Sequence, residues 1–216
     1  MRPKAGSILL GSIIFILMNL ACAGLAPAAL KNQYFEKANP LGKEKMAGNL
    51  SLFFFKSEVA GTKIALECTA NKLEGVEIEA AGKSTGTVKL TKCAFGTLKD
   101  GKPTPECTVT EPINFEFNDQ LVEIARAPDE QDEFTPKTAP TFTTVEITGC
   151  APFEAKYKIE GTYIASFNGV GENELIEHML RFDSTGGNLK FGVERATIFA
   201  TIDAYKRVNG KAWYAD

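Results

Sequence analysis

The chain has 216 residues, with 24 Lys+Arg, 27 Asp+Glu and one His. That length suits one large domain or two small ones, and 44% hydrophobic with 24% charged residues excludes wholesale disorder. A net charge of −3 argues against nucleic acid as a partner, and a lone His excludes a multi-histidine metal centre.

Residues 1–28 read as a secretory signal peptide. Arg2 and Lys4 are basic, residues 8–20 (ILLGSIIFILMNL) are nearly all apolar, and both Ala21-Cys22-Ala23 and Ala26-Pro27-Ala28 fit a small-x-small cleavage site. The expected location is therefore secreted or extracytoplasmic, in the cell envelope. Two other readings of this segment attach the protein to a membrane. An uncleaved anchor is one, since apolar residues run on to about Leu30, long enough to span a bilayer. Lipidation at Cys22 is the other, although Asn19 stands where bacterial lipoproteins place an aliphatic residue. Cleavage removes two basic side chains and no acid, taking the net charge from −3 to −5.

Residues 29–50 carry Lys31, Lys37, Lys43 and Lys45 around Pro40 and two glycines, the composition of a linker or loosely docked arm. Residues 51–216 read as a single β domain. Apolar residues alternate with polar ones at Ile64/Leu66/Cys68, Val76/Ile78, Val88/Leu90, Ile113/Phe115/Phe117, Tyr157/Ile159/Tyr163/Phe167 and Ile176/His178/Leu180/Phe182. Residues 172–182 also fit a helix through Leu175, Met179 and Phe182. The glycines before them and the turn cluster at 184–188 favour a strand, with 189–208 as its return in a C-terminal hairpin. The expected fold is all-β: an antiparallel β-sandwich or barrel of about ten strands. No stretch alternates strands with long amphipathic helices, which argues against an α/β fold.

Behind an export signal, Cys68, Cys93, Cys107 and Cys150 read as two disulfides. Their spacings of 25, 14 and 43 lack the close pairs of a zinc ribbon. Cys68 and Cys107 share the parity of their apolar neighbours, whereas Cys93 and Cys150 do not, so each bond should join one of each kind. Two pairings survive. Proximity favours Cys93–Cys107 with Cys68–Cys150, which is the expectation adopted. An internal repeat favours Cys68–Cys93 with Cys107–Cys150. In that repeat, Glu67-Cys68-Thr69 echoes Glu106-Cys107-Thr108, and residues 88–94 (VKLTKCA) echo 145–151 (VEITGCA). The echoes suggest two related β units, about 60–100 and 101–160.

The order of these motifs is also similar to a known family. A Cys on a strand, Gly-x-Val-x-Leu-Thr-x-Cys (86–93), Cys107 after a Gly/Lys/Pro loop, Val-x-Ile-Thr-Gly-Cys (145–150) and a late Gly-Lys-Ala-Trp (210–213) are the residues that carry it. They resemble exported, disulfide-containing all-β proteins of unknown function, met in multiple copies in some soil actinobacteria. The resemblance covers about 60–213. It implies export and β structure and brings no activity.

The sequence offers no catalytic, cofactor-binding or metal-binding residues to assign. There is no G-x-S-x-G, H-E-x-x-H, phosphate loop or dinucleotide fingerprint. His178 reads as a half-buried strand histidine rather than a general base. Glu77 and Glu79 share a strand face and read as solvated polar residues rather than a glycosidase pair. Residues 129–133 (DEQDE) read as a solvated acidic loop, because the Gly-punctuated calcium pattern is missing. Phe53-Phe54-Phe55 reads as a strand buried on both sides, the alternative being a membrane- or partner-facing edge.

Three function classes follow. The first is an exported structural or binding module, with envelope glycan or protein as partner and no cofactor. The second is a secreted polysaccharide hydrolase with unassigned carboxylates. The third, an outer-membrane barrel, sits badly with the Lys, Glu and Arg that recur along nearly every strand. A concave groove lined by two carboxylates and exposed aromatics would favour the hydrolase over the module.

Overall fold

The structure is a computed structural model that describes residues 33–37, 39–104, 106–122, 131–168, 175–182 and 187–215. The signal segment and Cys22 lie outside the described residues. Seventeen strands follow in chain order. They are β1 (Tyr34–Glu36), β2 (Asn39–Pro40), β3 (Glu44–Leu50), β4 (Phe53–Val59), β5 (Thr62–Glu79), β6 (Lys83–Lys99), β7 (Lys102–Pro103), β8 (Thr108–Val109) and β9 (Ile113–Val122). Then come β10 (Gln131–Pro136), β11 (Thr141–Thr148), β12 (Ala155–Glu160), β13 (Tyr163–Asn168), β14 (His178–Phe182), β15 (Lys190–Phe191), β16 (Glu194–Arg207) and β17 (Tyr214–Ala215). The only helical turn among the described residues is Ala80–Gly82. The all-β expectation holds, and the end of the ambiguous segment, His178–Phe182, is a strand.

Fourteen strands form one antiparallel sheet, more than the ten expected, and the sheet is not a single clean barrel. Its pairings close on themselves twice. One circuit runs β16–β3–β5–β6–β9–β10–β13–β14 and back to β16. The other runs β16–β4–β5–β6, crosses a single Phe95↔Cys107 bridge to β8, and returns through β11, β12 and β15. Both share β5, β6 and β16, of 18, 17 and 14 residues. A rise near 3.3 Å per residue makes the longest of these about 60 Å along its contour, long enough to serve two cores. The two alternating segments at 64–68 and 76–79 thus belong to one strand. A register shift between Glu74 and Glu77 marks a bulge where they meet, and Gly75 takes a φ of 61° there that side-chain-bearing residues resist.

Period two decides what fills the circuits. On β9, Ile113, Phe115, Phe117 and Leu121 are buried while Asn114 and Glu116 face solvent. Phe117, Phe134, Tyr163 and Phe182 line a small apolar cavity in the first circuit. Phe95, Tyr157 and Phe191 stack within the second, with ring centroids 4.3–6.4 Å apart, and Phe55 packs tilted against Phe191 at 5.3 Å. An apolar inside with a polar outside is the reverse of a lipid-facing barrel.

Residues 34–50 depart from the linker expectation. β3 pairs with β5 and β16, and Tyr34, Leu41 and Met46 are buried. β1, β2 and β17 form a separate three-stranded sheet. Of the lysines that suggested a solvated arm, Lys37, Lys43 and Lys45 are exposed, and Lys43 meets Glu77 at 2.7 Å; Lys31 lies outside the described residues.

The disulfides are Cys68–Cys93 and Cys107–Cys150. The adopted pairing of Cys93 with Cys107 and Cys68 with Cys150 is therefore corrected. Proximity misled because 94–106 is not a loop hanging from Cys93. β6 runs on to Lys99, and the returning chain places Cys107 opposite Phe95. Cys93 instead faces Cys68 across the β5–β6 ladder. The repeat was the better guide. In both units the Glu-Cys-Thr segment lies antiparallel to Val-x-[Leu/Ile]-Thr-x-Cys and one disulfide joins them.

Candidate functional site

Among the described residues polar chemistry gathers in a buried acidic cluster inside the first circuit, in a groove over Phe54 and Phe199, and in a cleft of about 390 Å³ lined by Glu79, Lys83 and Glu133.

The acidic cluster arises where the inward parity of β9 and β10 continues through polar residues. Asp119 lies opposite Ser84 of β6, and Asp132 lies between Leu121 of β9 and Ala165 of β13. Both aspartates are buried. Ser84 donates a hydrogen bond to Asp119 Oδ2, and Tyr34 OH donates to Asp132 Oδ1 at 3.4 Å. Asp119 Oδ1 is buried with no hydrogen-bond partner among the described residues. Burial pushes the Asp119 carboxyl up to about 7, with the Ser84 hydrogen bond pulling the other way. Burial first, and the facing carboxylates second, raise the Tyr34 and Tyr205 phenols well above their usual value.

The cluster is closed over. Trp213 is fully buried, edge-on to Tyr34 and Tyr205 at 5.5 and 5.9 Å. Its carbonyl oxygen accepts a hydrogen bond from His178 Nε2 at 2.9 Å. Arg207, only 1% exposed, ties Glu36 of β1 (2.7 Å) to Glu44 of β3. Asp119 and Asp132 are 6% and 1% exposed beneath these residues.

The groove, of about 560 Å³, lies across β14, β16, β4 and β5 beside the turn after β6. Register builds it. Phe199 stands opposite Phe54, Phe54 opposite Glu67, and Arg181 opposite Thr201. Lys56 Nζ sits 5.0 and 4.9 Å from the Phe54 and Phe199 ring centroids, held by both π faces. Phe199 and Leu52 remain 36% and 45% exposed.

The candidates from the sequence are scattered. His178 is a buried strand histidine, on the same buried parity as Leu180, and its ring nitrogen donates to the Trp213 carbonyl. Glu77 is held below the usual carboxylate range by a hydrogen bond from Lys43, the reverse of what a general acid needs. Of 129–133, Asp129 and Glu130 lie outside the described residues. The rest is strand β10 rather than loop, with Asp132 in the interior. Phe53, Phe54 and Phe55 are all buried, and β4 is paired on both sides, so it is not an edge. The four described cysteines are all bonded, and no cluster of three metal-ligating side chains occurs among the described residues.

Sequence reasoning passed over Asp119, which was legible as a polar residue at inward parity in the series 113, 115, 117, 119, 121. It also passed over Lys56, Arg181 and Phe199, which carried no sequence signal because only strand pairing assembles them. No protein-family model, curated protein or solved structure matches the chain.

Proposed function

We propose that the chain is an exported, disulfide-stapled β-scaffold that acts as a structural or binding module of the cell envelope or extracellular space, akin to the actinobacterial family its motifs resemble. The observation that carries this reading is the separation of paired carboxylates from exposed aromatic surface. Asp119 and Asp132 are buried, the groove over Phe54 and Phe199 has exposed aromatic surface but a single carboxylate, Glu67, and the cleft lined by Glu79, Asp119 and Glu133 has no aromatic, so no groove combines two carboxylates with an exposed ring among the described residues. A polysaccharide hydrolase needs two carboxylates reaching one bond. Two disulfides suit an oxidising, extracytoplasmic compartment. We read the two circuits as two small barrels fused through β5, β6 and β16.

Co-sedimentation with isolated envelope fractions, combined with intact-mass analysis of exported material, tests the reading. The expected result is a chain lacking the segment before about residue 29, with both disulfides formed, that sediments with the envelope. Retention of Met1 together with five free thiols, or release of reducing sugar from envelope glycan, overturns it.

A further inference from the structure

We infer that the groove over Phe54 and Phe199 binds a carboxylate-bearing polysaccharide of the polyuronate type. This inference rests on the binding-module reading and adds the ligand class to it.

Charge is the first argument. Lys56, Lys102 and Arg181 line the groove against one acid, Glu67, in a chain whose net charge is −3. Elsewhere on the surface lysines are matched with carboxylates, as in Lys43–Glu77, Lys156–Glu146 and Lys206–Glu177. Among the described residues none of Lys56, Lys102 and Arg181 forms an ion pair. A cationic patch within an acidic protein selects an anion, and the Arg181 guanidinium offers a planar fork that fits a carboxylate.

Backbone pairing is the second argument. An extended peptide is commonly recognised by adding a strand to a free sheet edge. Here β16 is paired with β14 and β4, and β4 with β16 and β5, so the groove floor presents no edge. Strand addition is therefore not how this groove takes a ligand.

The third argument is the spacing of charge and ring. Lys56 Nζ stands 4.9 Å from the Phe199 centroid, and Phe199 keeps exposed ring surface. A uronic acid carries its carboxylate on the pyranose ring. One monomer therefore presents an anion to Lys56 or Arg181 and an apolar C–H face to the part of the Phe199 ring that Lys56 leaves exposed. A phosphodiester polymer sets its charge between the sugars and matches this juxtaposition less well.

Affinity electrophoresis and calorimetry of the purified full-length chain, with polygalacturonate, a neutral galactan and poly-glutamate as probes, test the inference. Polygalacturonate is expected to bind, and to bind more weakly as salt is added. Lys56→Gln and Arg181→Gln should each weaken it about tenfold, with Trp213 emission and the unfolding midpoint unchanged. Phe199→Ala should weaken it with no change in the salt dependence. Equal binding of the galactan or of poly-glutamate, no binding of polygalacturonate, or indifference to all three substitutions overturns the inference. Envelope sedimentation that persists in the Lys56→Gln/Arg181→Gln double variant also overturns it and leaves the binding-module reading standing. Absence of envelope binding in the unaltered chain defeats that broader reading instead.

Discussion

Asp119 is the residue whose ionisation the fold resists most clearly. Its carboxyl is buried, one oxygen is bonded by Ser84, and the other has no partner among the described residues. The folded-state value, about 7, lies above the ordinary 3.8. The folded protein therefore holds a proton that the unfolded chain has released. The stability this confers is full below about pH 4 and is lost as pH rises through about 7. Glu36 and Glu77 act in the opposite sense. Hydrogen bonds from Arg207 and from Lys43, respectively, hold their carboxyls below the usual value, so their contribution is lost as pH falls below about 4.5. Urea midpoints should accordingly be higher at pH 5 than at pH 8. Asp119→Asn, which cannot ionise, should flatten that slope and raise the midpoint at pH 8. A wild-type midpoint that rises between pH 5 and pH 8 would contradict the assignment.

At the scale of elements, the small β17–β1–β2 sheet and the two disulfides invite direct tests. Arg207 joins β16 to β1 through Glu36 and to β3 through Glu44, and its NH1 also reaches the Ala212 carbonyl at 3.4 Å. Breaking a buried ion pair costs about 3–5 kcal/mol. Because these carboxylates are 26% and 27% exposed and can rehydrate, Arg207→Ala should cost about 2–3 kcal/mol, toward or below the low end of that range. The single tryptophan reports the same event, since loosening β1 and β17 should shift the Trp213 emission to the red; an unchanged spectrum would show that Arg207 does not hold them. For the disulfides, non-reducing proteolysis should yield linked peptides containing Cys68 with Cys93 and Cys107 with Cys150. Sequence separations of 25 and 43 residues correspond, on the chain-entropy model, to about 3.5 and 4 kcal/mol respectively. Each Cys→Ser pair should therefore lower stability by several kcal/mol, with the Cys107–Cys150 variant affected at least as much.

For the whole molecule, three long strands do the work of two cores. β5, β6 and β16 each take part in both circuits, and their amides are covered by neighbours along most of their length. Opening either circuit alone leaves them partly paired in the other. Their central amides should therefore be the slowest to exchange with deuterium, near the global unfolding limit. Those of β1, β2 and β17, in a separate three-stranded sheet, should exchange earlier. Slower exchange in β1 than in β5 would mean that the small sheet belongs to the cooperative core.

What the sequence determined by itself is whatever depends on near neighbours. Alternation of side chains along a strand is a local property, so the β character of 64–68, 113–117 and 178–182 was legible. So was the polar intrusion at Asp119, had the series been followed to its end. Likewise, cysteine parity favoured disulfides that each join one in-phase and one out-of-phase residue, as both observed bonds do. Only the tertiary structure decided which strands pair. Residues 34–50 look like a hydrophilic arm until β3 is laid between β5 and β16. Asp132 looks like part of a solvated acidic run until pairing with Leu121 and Ala165 turns it inward. Lys56, Phe199 and Arg181 become one groove only through the β14–β16–β4 register. Strand pairing is chosen by long-range closure over a shared core, and a short stretch of sequence carries the parity of its side chains but not the identity of its partner.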